Sequence, residues 1–319
     1  MIRTIHPRAR RSRMLRIAAS VALLFSTIAC TVVRDGDDDD GGDGPPVVVD
    51  PPPPAVVDLL VMVDLDPSAT NLAAAHAEVV GSLVRELSGA GVEVRRSAVA
   101  PLHERVGSTV PLLGSGDELG TLVQRYSTGD GAAFLSDVGE DDYASLLTLG
   151  RTLADAPLYV SEGAPENGQA YFEPPEDGWV VVVLGALAAR CGSAPCDAAA
   201  IEVASALTAT DDAGDAAWLD LPGSAGVPPS RIVHVLITPP EVGDSHAALA
   251  DACRARPNFP TALLDFMAPS PPFHSQVAEA IVEAGGRARW LDYCAALSSE
   301  GEAISAGAAA TIATAVRGG

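Results

Sequence analysis

Two hydrophobic patterns share this 319-residue chain. One is the short, nearly continuous apolar run; the other is apolar residues at helical spacing. Residues 56–64 (VVDLLVMVD) are the first run of the chain's body. A strand buried on both faces reads this way, as in a parallel sheet. Asp66-Pro67-Ser68 then turns the chain, and Leu72, Val79, Val80, Leu83 and Leu87 follow at helical spacing up to Gly89 and Gly91. Residues 92–99 (VEVRRSAV) predict a second strand. Strand–helix–strand is the unit of a parallel sheet.

Further along, residues 119–126 and 143–154 predict helices, and 164–178, with Pro165, Pro174 and Pro175, a loop. Residues 179–184 (WVVVVL) are the strongest strand in the chain. A helix over 198–207, a polar Gly/Pro-rich loop over 211–230 and a buried strand over 231–237 (RIVHVLI) come next. Helices are expected at 246–254, 274–284 and 303–316, with a last short strand at 288–291. This alternation predicts an α/β domain, a doubly wound, mainly parallel sheet flanked by helices.

The first 29 residues follow a different logic. Arg3, Arg8, Arg10, Arg11, Arg13 and Arg16 precede an apolar stretch over 17–29 (IAASVALLFSTIA), with no acid among them. A basic start, a short apolar run and small residues before a cut describe a secretory signal. The run falls short of the roughly 20 residues a membrane-spanning helix needs. Thr27-Ile28-Ala29-Cys30 resembles a bacterial lipobox, with Thr27 where leucine is usual. That resemblance implies lipid attachment at Cys30. Thr31 and Val32 follow, with no Asp, which resembles outer-membrane sorting in two-membrane bacteria. Residues 30–55 are rich in Asp, Gly and Pro and read as an acidic tether. The expected organisation is a signal over 1–29, a tether over 30–55 and a domain over 56–319.

Charge narrows the partners. The formal net charge is −22, and all 20 basic residues are Arg. Such a polyanion repels nucleic acid and anionic lipid, so no nucleic-acid partner is expected. With Cys30 set aside, Cys191, Cys196, Cys253 and Cys294 remain. An even number in an exported chain suggests disulfides, and four cysteines allow three pairings. The favoured one joins Cys191 to Cys196 and Cys253 to Cys294. A zinc site is the rival, but no His stands at ligand spacing beside the one close cysteine pair.

Ligands of open α/β sheets bind beyond the carboxyl ends of the strands. Asp64 ends the first strand, with Asp66 and Ser68 following at alternate positions. Here VDLLVMVDLDPSA resembles the start of a von Willebrand factor type A domain of the bacterial surface lipoprotein type. In that family an apolar strand leads into D-x-S-x-S. The resemblance implies a metal-ion-dependent adhesion site, in which Mg²⁺ or Ca²⁺ is held by that loop, a Thr from a second loop and an Asp from a third. A partner's carboxylate would complete the shell, as suits a hard cation. Asp64 and Ser68 match the motif, and Asp66 stands where the first Ser belongs. Gly139-Glu140-Asp141-Asp142 supplies no Thr, and Leu184-Gly185-Ala186-Leu187 supplies no Asp. The ligand set is therefore degenerate, and Asp64, Asp66 and Ser68 read first as caps of the helix they precede.

G-x-S-x-G, H-E-x-x-H and P-loop motifs do not occur. His76 reads as a packed or solvent-facing helix residue, and His234 as a satisfied core residue of a buried strand. The expectation is a lipid-anchored envelope protein, not an enzyme, that binds an unknown protein partner or serves as a scaffold without a cofactor. Cation-dependent adhesion and an exported hydrolase of unrecognised type are the alternatives.

Overall fold

In the computed structural model the described residues are 54–63, 70–101, 106–110, 145–155, 157–161, 178–185, 195–220, 226–243, 245–267, 269 and 272–318. The chain divides into two units, Met1–Pro51 and Pro52–Gly319, and all described residues lie in the second. Cys30, Asp64, Asp66, Ser68, Cys191 and the helix expected at 119–126 fall outside them, as does the expected loop over 164–177.

Element labels number the described elements. They are β1 (Ala55–Val63), α1 (Thr70–Gly89), β2 (Val92–Pro101), β3 (Val106–Val110), α2 (Ser145–Asp155), β4 (Leu158–Ser161) and β5 (Trp179–Gly185). Then come α3 (Cys196–Thr208), β6 (Leu219–Asp220), β7 (Ile232–Thr238), α4 (His246–Arg254) and α5 (His274–Glu283). β8 (Arg287–Asp292), α6 (Tyr293–Ala296) and α7 (Gly301–Gly318) close the chain. Among the described residues no helix is long and apolar enough to cross a membrane.

The eight strands form one sheet in the order β6-β4-β3-β2-β1-β5-β7-β8. Only the β2–β3 pairing is antiparallel. The protein is thus α/β with a mainly parallel, doubly wound sheet. Setting β4 and β6 aside, the other six strands follow the 3-2-1-4-5-6 order of doubly wound folds.

Each central strand alternates its side chains between two cores. Val57, Leu59 and Val61 of β1 face α1, α4, α6 and α7. Leu60 and Met62 face α2, α3 and α5. β5 is buried along its whole length, as is β7. Fully burying each such Val or Leu contributes roughly 1.5–3 kcal/mol before entropy is counted.

β3, β4 and β6 were not expected from the pattern. β6, together with a bridge between Thr210 and Ala216, corrects the reading of 211–230 as unbroken loop. It is only 2 residues long, so no period can announce it.

One polar residue sits inside the first apolar run. Asp58 has a fully buried side chain, and Arg95 grips it with two bonds, Nε to Oδ1 at 3.1 Å and Nη2 to Oδ2 at 2.8 Å. The β1–β2 register explains the reach. Val57 pairs with Val94, but Asp58 pairs with Arg96, so Arg95 is an inserted bulge residue. A bulge turns a side chain out of the strand's alternation. Here it points a cation at Asp58.

Cys253 and Cys294 are joined, with Cα atoms 5.0 Å apart, which ties α4 to the start of α6. Ordinary disulfides have this spacing. Closing a loop of 41 residues stabilises by about 4 kcal/mol on the chain-entropy model. Cys196 is also disulfide-bonded, to a partner outside the described residues.

Candidate functional site

A doubly wound sheet has a topological switch point, and the crevice there is the natural ligand position. In this sheet β1 connects through α1 to β2 on one side, while β5 leads to β7 and β8 on the other. The switch point is therefore the carboxyl end of the β1–β5 pair, whose last partners are Val63 and Gly185. Asp64 is the next residue after β1 in the sequence, so the Asp64-x-Asp66-x-Ser68 segment directly follows that strand, outside the described residues.

The second and third loops of the expected metal site, over 139–142 and 184–187, are described only at their last strand residues, Leu184 and Gly185. Gly185 closes β5 and is not yet loop. Among the described residues no three His, Cys, Asp or Glu side chains come together as metal ligands would. The connection over 64–69 contains no glycine. A pyrophosphate-binding turn needs glycines there, so a dinucleotide does not suit this crevice.

Beside the carboxyl end of β5, His76 packs between Gly185 and Tyr293. His76, on the second turn of α1, is 1% exposed, so it packs and does not face solvent. Its ring meets that of Tyr293 edge-on, with centroids 5.0 Å apart and planes at 83°. That arrangement sets a ring edge against a π face. Tyr293 directly follows β8, and burial, together with the Glu78 carboxylate, pushes its phenol well above the usual range. Its hydroxyl has no hydrogen-bond partner among the described residues.

Gly185 is small because the imidazole needs the space. A Cβ there would meet His76 Cε1 and Nδ1, Nδ1 at 2.6 Å. The ring is buried and cannot swing away. Gly185→Ala is expected to destabilise by about 1–3 kcal/mol, the range for overpacking a filled core. In a His76→Ala background most of that cost should vanish, because the opposing ring is gone. Urea midpoints of the two singles and the double check the coupling; additive effects would refute the contact.

Two further histidines, His234 and His274, are buried. His234, on β7, has Nδ1 3.3 Å from the Arg287 carbonyl, so Nδ1–H donates there. Nε2 has no hydrogen-bond partner among the described residues, so this core histidine is only half satisfied, contrary to expectation. Burial pushes its pKa down to about 4, against the Arg287 bond. His274 opens α5, and burial pushes it down to about 3. Glu241 holds the same helix start, accepting from Ser275 N and Ser275 Oγ at 2.7 Å each.

Burial also raises the Asp292 carboxyl, against bonds donated by the Cys294 and Ala295 amides and the charge of Arg256. Asp292 thus caps α6, the helix that carries Tyr293 and Cys294. The ring packed on His76 and the disulfide share one anchor.

Compared with protein-family models, curated proteins and solved structures, the chain matches none.

Proposed function

We propose that this chain is a surface lipoprotein, held to the cell envelope by lipid on Cys30. Its α/β domain, of von Willebrand factor A-like type, serves as a protein-binding or scaffold module. The observation that carries this reading is the position of the D-x-D-x-S segment: β1 ends at Val63, at the switch point, one residue before Asp64. A binding loop belongs there in a doubly wound sheet. The acidic, Pro-rich stretch over 30–55 suits a spacer between anchor and domain.

The metal site of such domains is degenerate in this proposal. Asp66 replaces a Ser, and the expected Thr and Asp of the other two loops are not in the sequence. A hard cation left with so few oxygen ligands binds weakly. Calorimetry of the full chain with Mg²⁺, Ca²⁺ and Mn²⁺ should give no saturable heat, and no thermal shift. Saturable binding lost on Asp64→Ala would instead establish cation-dependent adhesion. The anchor has its own test. Cys30→Ala should move the chain from the membrane to the soluble envelope fraction, and unchanged membrane association would overturn it.

A further inference from the structure

The sheet ends at β8, whose neighbour on one side is β7. Among the described residues no strand pairs with its other side. Such an edge offers a row of amides and carbonyls to any chain that can match it. Beside this edge lies an open groove of about 600 Å³, walled by α5 and β8.

The two faces of β8 differ in chemistry. Ala288 and Trp290 share the face of α5, where Ala278 and Val282 line the groove together with Ser275, Glu279 and Glu283, and Arg289 borders it from the strand. Val282 is 54% exposed; among the described residues, only Ile201 joins it as an exposed large hydrophobic. Trp290 is partly buried, and its Nε1–H donates to Thr238 Oγ1 at 2.8 Å, which fixes the indole as a groove wall. Arg287 and Arg289 share the opposite face, in register with Val233 and Val235 of β7. Arg287 is engaged: its Nε donates to the Ser230 carbonyl at 3.2 Å, and its guanidinium lies 5.2 Å from the Trp179 ring centre. Arg289 is exposed and makes no ion pair or hydrogen bond among the described residues.

An unmatched arginine on a free edge is notable in a chain of net charge −22. A second copy of the chain suits this edge poorly. Antiparallel self-pairing of β8 would bring the arginines of two copies together, and like charges opposite each other destabilise.

We propose that the free edge of β8 takes an extended peptide from a protein partner as an added strand. The peptide carries acidic residues on the face of Arg289 and apolar residues on the face of Val282 and Trp290. Backbone bonds to β8 supply affinity, and the two faces supply selectivity, as in other strand-addition complexes. This surface rests on the reading of the domain as a binding module and names its partner's chemistry.

The probe is a blocked hexapeptide of alternating Glu and Val, titrated into the full chain. Tryptophan fluorescence reports binding, because Trp179 and Trp218 are buried while Trp290 lines the groove. Saturable change is expected. N-methylating the peptide's alternate amides on the β8 side should abolish it. Arg289→Glu should weaken it at least tenfold, and replacing peptide Glu by Lys should do the same. Circular dichroism matching the unsubstituted chain shows that Arg289→Glu has folded. No saturable change, or binding indifferent to both Arg289→Glu and N-methylation, would overturn the proposal. So would a dimer in sedimentation that Arg289→Glu changes, since a second copy would then hold the edge. A full chain that captures an envelope protein equally well with Arg289→Glu, yet ignores the peptide, loses only this surface and keeps the binding-module reading.

Discussion

Lowering the pH from about 7.5 to about 5 should remove about 4 kcal/mol of stability through two buried histidines, about 2 kcal/mol each. His234 titrates near 4 and His274 near 3 in the folded chain, against an ordinary value of 6.5. Above 6.5 both are neutral whether folded or not, and they cost nothing. Below it the unfolded chain binds two protons that the folded chain refuses. Stability therefore falls with pH through this window, and for each histidine the loss is complete only below its folded pKa. Two carboxyls act in the other direction. Burial raises Asp58 and Asp292 above 3.8, so the folded chain gains protons there more readily as the pH drops. The interval above pH 5 isolates the histidines best. Urea midpoints at several pH values should give the slope, and His234→Gln should remove about half of it. A stability that is flat between pH 7.5 and 5 would contradict the neutral burial of both rings.

How much of this was legible beforehand depended on burial and length. β1, β5 and β7 lie in the middle of the sheet, apolar on both faces, so their runs VVDLLVMV, WVVVVL and IVHVLI are hard to mistake. β8 was expected two residues too short, because Arg287 and Asp292 at its ends are polar and incompletely buried. β4 has 4 residues and β6 has 2, too few for a period to show. α1 and α7 declared themselves by spacing, while the 4-residue α6 depends on the Asp292 cap more than on pattern. The strand leading to the candidate site was legible, since β1 ends at Val63 as its apolar run predicts, while Asp64 itself lies outside the described residues. The packing around His76 was not. His76, Gly185 and Tyr293 lie far apart in sequence, and no local spacing joins an imidazole to the glycine that makes room for it. The one hint was that a histidine on an apolar helix stripe must be packed against something. Counting left three cysteine pairings, of which the one that sets Cys253 with Cys294 as a long staple was favoured, and the structure joins these two.

Arg95→Ala should cost about 3–5 kcal/mol at neutral pH, the range for breaking one partner of a buried ion pair. Asp58 has no exposed side-chain surface, so without Arg95 its charge would sit in the core with Arg96 as the nearest remaining cation. Desolvation already holds its carboxyl above the ordinary value, with the Arg95 bond opposing that rise. Removing the opposition should drive the carboxyl to take up a proton. The penalty is then expected to shrink as the pH falls toward 5, a dependence that a simple packing loss would not have. Asp58→Asn with Arg95 intact should cost less, because the exposed side of the guanidinium stays hydrated. Replacing both partners together, Asp58→Val with Arg95→Val, should recover most of the loss, since no charge is left stranded and β-branched side chains suit the strands. That recovery carries the argument about the bulge. The inserted residue between Val94 and Arg96 exists to aim a cation, so with Asp58 gone the bulge has nothing to answer. If Arg95→Ala costs under about 1 kcal/mol, the figure for an exposed pair, then Asp58 is hydrated in solution and the ion pair is a surface contact.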